Sequence, residues 1–136
     1  MTPNQKAALE RLIEISTGNS GQCATVADFL LAWWNAQDCG GFNLATLWSV
    51  DTAIAADMIE VCRMIADDSR YPDSAGYEAE FVAMAYRWRP AFAWWEGLTD
   101  EQQAAWQRRS KSFTMHDAYA DWLEGERERQ RREARD

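Results

Sequence analysis

Apolar residues along this chain recur at three- and four-residue intervals, and alternation with a period of two is missing. The pattern therefore predicts helices and no strand. Thr2-Pro3 opens a first helix, with a capping hydroxyl and a proline at its first position; Leu9, Leu12 and Ile13 follow, and Gly18 is expected to end it. Thr25, three residues before Asp28, reads as the start of a second helix, VADFLLAWWNAQD. Its stripe is Val26, Phe29, Leu30 and Trp33, and Gly40-Gly41 stops it. Asn43 caps a short helix, LATLWSV, carrying Leu44, Leu47 and Trp48. Asp51 caps a longer one, where Ile54, Met58, Val61, Cys62 and Ile65 share a face until Asp67-Asp68.

Tyr71-Pro72-Asp73 is a turn signal, and a fifth helix is predicted from about Ser74 to Trp88, limited by Pro90. Tyr77, Phe81, Met84, Ala85 and Trp88 form its inner face. AFAWWEG reads as a short helical turn. Thr99 and Gln102 form a capping box for TDEQQAAWQRRSK, and Thr114 with Asp117 starts the last helix, MHDAYADWLEGERERQRREARD. That helix is amphipathic through Tyr119, Trp122 and Leu123, whereas ERERQRREARD has no apolar side and should lie in solvent, frayed or held for a partner. The expected fold is an all-α, irregular single-domain bundle of about six to seven helices. Its helical domain spans residues 1–124 and a charged helical tail spans 125–136.

The 136 residues suffice for one domain with a core that needs neither disulfide nor metal. Eight tryptophans supply much buried area per residue. The net charge of −8 is uneven: residues 1–90 hold six Lys/Arg against twelve Asp/Glu, and residues 91–136 hold eight against ten. Such a surface repels phosphate, so direct nucleic-acid binding is not expected. A protein partner with a basic surface suits it better. Three cysteines, Cys23, Cys39 and Cys62, form no CxxC pair, and no run approaches the ~20 apolar residues of a membrane span. The N-terminal MTPNQKAALERLIEI lacks the apolar stretch of a signal peptide, so a cytoplasmic protein with reduced thiols, no cofactor and no metal is expected.

The segments FLLAWWNA, CGGF and YPD, within residues 7–90, resemble a domain family of uncharacterised bacterial proteins. The resemblance implies a setting on plasmids and integrative elements. It carries no activity, ligand or catalytic residue, and residues 91–136 lie outside it.

Adjacent helical residues point about 100° apart, so Trp33 and Trp34 cannot share one stripe. Trp33 belongs with the core, and Trp34 flanks it, covered by another helix or offered to a partner. Trp94-Trp95 raises the same question on a shorter segment. Asp57, Glu60, Asp67, Asp68, Asp73, Glu78 and Glu80 form an acidic series whose plain reading is a solvated face and whose functional reading is a docking patch. With Trp94 and Trp95 as anchors, the series suggests a non-enzymatic module docking to a host or element protein. The sharpest version is an anti-CRISPR-type inhibitor imitating the charge of DNA. The alternative is a small-molecule binder or enzyme with a Trp-lined cavity, using His116 or a thiol; Cys62, on an apolar stripe, is expected to be inert. A homo-oligomer joined by aromatic faces is a third arrangement.

Overall fold

The N-terminal helix begins as its residues dictate. The Thr2 hydroxyl accepts the Gln5 backbone N–H at 3.1 Å, and the Gln5 side chain accepts the Thr2 N–H at 2.9 Å, closing a reciprocal cap. In the computed structural model, which describes residues 1–109 and 114–135, helices account for all regular structure among the described residues. The α-helices are α1 (Pro3–Ile15), α2 (Gly21–Cys39), α3 (Thr52–Asp67), α4 (Glu78–Trp88), α5 (Pro90–Glu96), α6 (Asp100–Gln107) and α7 (Met115–Arg135). Two 3-10 turns, Leu44–Ser49 and Pro72–Ala75, complete them, and the all-α class stands.

The chain divides into two compact units, Met1–Trp88 and Arg89–Asp136. In the first, α1 packs on α3, α2 packs on α4, and α1 meets α2. Leu9, Leu12, Val26, Leu30, Leu31, Met58, Val61 and Phe81 are fully enclosed, and Met64, Met84 and Ala85 complete this core. Phe42 stands edge-on to Phe29 with centroids 5.3 Å apart, which ties the CGGF segment to α2. The Trp88 indole donates to the Ser16 carbonyl at 2.8 Å, and Arg87 donates twice to the Gly18 carbonyl, so the end of α4 closes over the end of α1.

Two helix starts and the interior of one helix depart from the sequence pattern in the first unit. The second helix starts five residues early, because the Ser20 hydroxyl accepts the Cys23 N–H while the Thr25 hydroxyl turns back to donate to the Gly21 carbonyl. Within α2, Asn35 leaves helical geometry (φ −161°, ψ 77°) and its side chain pairs with Asp38, recapping the final turn. The helix expected from Ser74 begins only at Glu78, since Pro72–Ala75 form a 3-10 turn closed by Gly76 at φ 92°, a left-handed conformation that glycine adopts without strain.

In the second unit, α5 packs on α7. The capping box at Thr99 and Gln102 opens α6, and the Thr114 hydroxyl accepts the Asp117 N–H at the start of α7. The predicted TDEQQAAWQRRSK helix ends early, at Gln107 with Arg108 as its C-cap, while positions 110–111 and the last residue of the tail lie outside the described residues. The charged tail is helical to Arg135 and carries its own support. Arg129 bridges Glu126 at 2.6 Å and Glu133 at 2.9 Å, and Arg131 reaches Glu128 at 2.9 Å. Pairs at these spacings contribute about 0.2–0.5 kcal/mol each, which together offset the missing apolar face.

Leu30→Ala, at a site closed on every side, is expected to destabilise the first unit by about 2–5 kcal/mol. The measurement is a lower urea midpoint at unchanged slope. Glu128→Gln removes the carboxylate shared by Arg131 and Arg132. It is expected to speed amide exchange within 124–135 while the α1–α4 amides keep their protection.

Candidate interaction surface

The acidic series separates into groups with different electrostatic roles. Asp57 accepts two hydrogen bonds from the Arg11 guanidinium, both at 2.9 Å, in a forked pair joining α3 to α1. Glu60 pairs with Arg63 one turn along. Asp68 receives three hydrogen bonds from Arg70 at 2.7–3.0 Å, and this partner holds its carboxyl below the usual range. Asp73 accepts the Trp34 indole N–H at 2.8 Å, a neutral donor that leaves its charge intact. Among the described residues no ion pair involves Asp67, Glu78 or Glu80. Glu78 and Glu80 lie in the first turn of α4, where they complement the positive end of the helix dipole.

Tyr77 anchors the segment that carries these acids. Its phenol donates to Glu10 of α1 at 3.0 Å. Burial, reinforced by the Glu10 carboxylate, pushes the phenol up to about 12.

The paired tryptophans of α2 resolve as the 100° argument requires. Trp33 stands edge-on to the buried Phe81 at 5.7 Å, and Trp34 is tilted against the same ring at 6.5 Å. Both are half-buried, and neither is freely offered. Tyr71, 65% exposed, lines two clefts open to solvent. One, of about 340 Å³, has Trp33, Ile65 and the Asp68–Arg70 ion pair in its wall, and the other, of about 370 Å³, has Trp34 and Asp73.

Trp94 is the hub of the second unit. Its ring lies 5.7 Å from Trp106, 5.6 Å from Tyr119, 5.6 Å from Trp122 and 6.1 Å from Trp95. Such a ring is a packing element, and the Trp95 carbonyl next to it accepts from Gln103. Arg109 covers the Trp106 face at 4.1 Å.

The most exposed large apolar residues are ones the helical pattern assigned to a stripe. Trp48 is 89% exposed and Leu44 72%, on the 3-10 turn Leu44–Ser49. Three residues per turn place Trp48 over Ala45, so the i, i+4 match of Leu44 to Trp48 that supports an α-helical stripe is lost. The turn is held at both ends: Asn43 caps it, and the Asp51 N–H donates to Gln22 of α2 at 2.7 Å. The legible signal was brevity, since LATLWSV is too short to turn an amphipathic face toward two neighbours.

The residues weighed for catalysis are dispersed by character. His116 is exposed on the first turn of α7, Cys39 is buried, and Cys62 is exposed on α3, contrary to its expected place on the inner stripe. Cys23 accepts from the Ser20 hydroxyl at 3.1 Å, which draws its thiol below the ordinary value. Among the described residues, no group of three or more His, Cys, Asp or Glu is placed to hold a metal ion, and no helix is long and apolar enough to cross a membrane.

A family of unknown function, DUF7673, matches residues 6–89. The chain belongs to that family. No curated protein and no solved structure matches it. The matched stretch holds Trp33, Trp34, Trp48, Tyr71, Tyr77 and the whole acidic series, whereas Trp94, Trp95 and the charged tail follow it.

Because Tyr77 is held protonated above its ordinary value of 10, its contribution is complete below pH 10 and is lost as pH rises through about 12. Tyr77→Phe is therefore expected to flatten the fall in thermal stability across that alkaline window. The comparison is of melting curves from pH 9 to 12, where equal slopes for both proteins would exclude this coupling.

Proposed function

We propose that the chain is a non-enzymatic protein-binding module, docking to a basic partner through its first unit with Trp48 and Leu44 as the apolar anchor. The observation that carries this reading is Trp48, a large ring 89% exposed on a turn braced at both ends. A solvated indole contributes nothing to the core, and tryptophan is enriched among residues that dominate binding energy. The bracing keeps the ordering cost of binding small. Charge supports the choice of partner, since residues 1–88 hold five Lys/Arg against twelve Asp/Glu. Asp67, Asp73, Glu78 and Glu80 would steer encounter, whereas Asp57, Glu60 and Asp68, already matched to arginines, contribute less to it.

In its sharpest form the partner is a nucleic-acid-handling complex met in a mobile-element setting, its phosphate-binding groove supplying the positive surface in the manner of an anti-CRISPR target. Charge and the family resemblance support that version. Trp94 serves the second unit's own ring cluster, so this reading puts the anchor on Trp48 and Leu44 in place of the Trp94-Trp95 pair.

Affinity capture from a bacterial lysate tests the reading. Wild type is expected to retain a basic protein at low salt and release it at high salt, and Trp48→Ala should weaken retention about thirtyfold, the scale of one dominant anchor. Equal recovery by wild type and Trp48→Ala would reject the anchor. Concentration-dependent sedimentation abolished by the same substitution would replace the partner with a second copy of the chain.

A further inference from the structure

The groove between α1 and α4 is a feature of the first unit that neither Trp48 nor the core explains. The two helices run side by side in one direction, tied by the Tyr77–Glu10 bond at one end and the Arg87–Gly18 bonds at the other. Between the ties lies an open groove of about 350 Å³. Ile13, Ala83 and Met84 line it with apolar surface, and Glu80 and Arg87 of α4 add opposite charges. The Ser16 and Thr17 hydroxyls in its wall are spent on the Ile13 and Glu14 carbonyls, so they bring neither charge nor an unmet donor.

Arg87 is an exception among the cations of this unit. Lys6, Arg11, Arg63 and Arg70 each have a carboxylate partner, whereas among the described residues Arg87 has none. Its Nε and Nη2 donate to the neutral Gly18 carbonyl at 3.1 and 2.6 Å, and its guanidinium lies 5.6 Å from the Trp88 ring centroid. These contacts fix the group and leave its charge uncancelled. Glu80 likewise has no ion pair among the described residues. Seven residues span two helical turns, so one flank of α4 presents an unmatched anion and an unmatched cation about 10 Å apart along the axis. Beside that flank Ala79, Val82, Ala83 and Tyr86 are exposed at the i, i+3, i+4, i+7 spacing of a helix-packing face.

We propose that α4 pairs antiparallel with the α4 of a second copy of the chain. An anion and a cation on one flank of a helix are their own complement once the helix is turned end over end. Glu80 then meets the partner's Arg87 and Arg87 meets the partner's Glu80, about a two-fold axis. The axis passes midway between them, beside Ala83, whose small side chain lets two helices approach closely. Any other occupant would carry this charge pattern by coincidence, whereas a second copy carries it of necessity. The net charge of −8 opposes association at long range. At physiological salt the screening length is about 8 Å, so the charges that face each other outweigh the distant acids. An 11-residue helix makes a contact below the standard interface size, so half-association is expected at about 10–100 µM. The contact is separate from Trp48 and does not rest on the docking reading above.

A charge exchange read by sedimentation of the full chain tests the pairing. Wild type is expected to move from monomer toward dimer across that concentration range. Glu80→Arg sets arginines against each other across the axis, and Arg87→Glu sets carboxylates against each other. Each alone should weaken association more than about tenfold. Mixed in equal amounts, the two variants oppose two arginines to two glutamates and should form a heterodimer at least as tight as the wild-type dimer. Ala83→Glu leaves Arg87 on Gly18, places like charges at the axis and should also weaken association more than about tenfold. The Trp88 indole N–H resonance reports the bond to Ser16 and verifies that each variant keeps α1 and α4 joined. Where Arg87→Glu loses that signal, Ala83→Glu decides. Trp48→Ala should leave association unchanged. The proposal is overturned by a wild type that stays monomeric, by undiminished association of Glu80→Arg or Ala83→Glu, or by a mixture of folded variants that does not associate. Association lost in Trp48→Ala and kept in the α4 variants would place the second copy on the Trp48 turn and remove it from α4.

Discussion

Phe81 is the contact on which the geometry of the first unit turns. The ring is wholly enclosed, and it meets both Trp33 and Trp34 across the α2–α4 interface. Successive residues of a helix diverge by about 100°, so a single ring touching both must sit between their inner edges. Trp33 then lines one cleft and Trp34 another. Immediately beyond them Asn35 breaks the helical path, and Pro72–Ala75 with Gly76 return the chain so that Asp73 meets the Trp34 indole. Core packing and surface shape are one arrangement here, since moving Phe81 would move both cleft walls.

A negative net charge of 8 is a poor description of what the surface offers. Carboxylates that hold arginines across or along helices, as Asp57 and Asp68 do, are structural acids whose field is largely cancelled at a distance. Carboxylates that complement a helix N-terminus, as Glu78 and Glu80 do, stay exposed and keep their field. Asp67, at the negative end of α3, has the opposite arrangement. The tail of α7 resolves its charge differently again, by opposite signs at helical spacing, so that Arg127, Arg129, Arg131 and Arg132 each pair with a Glu within about one turn. That explains how a helix without an apolar face persists to Arg135.

The tryptophans likewise divide by role. Trp94 gathers the second unit around itself, where α5 and α6 are too short to provide a conventional stripe. Trp88 spends its N–H on the Ser16 carbonyl and closes the first unit. Trp48 does neither, and its exposure on a braced turn is what separates this surface from that of an ordinary helical bundle.

Much of this was legible locally, because capping and propensity act within one or two turns. The caps at Thr2, Asn43, Thr99 and Thr114 need only a hydroxyl or amide and a nearby N–H, and each forms where the residues place it. The buried face of α3 through Met58 and Val61 and that of α4 through Phe81, Met84 and Ala85 follow from periodicity. The failures came where two local options competed: Ser20 against Thr25 for the start of α2, helix against capping at Asn35, and helix against a left-handed turn at Gly76. Which acids keep their charge, and whether Trp34, Trp48 and Trp94 face solvent or one another, depend on partners distant in sequence. Arg11 lies 46 residues from Asp57 and Trp34 lies 39 from Asp73, separations that no periodic pattern encodes. By itself, then, the sequence determined the helices and their inner faces, because those follow from bonds and spacings within a turn. Only the tertiary structure decided the surface, because there the energy of each side chain is set by what the fold brings beside it.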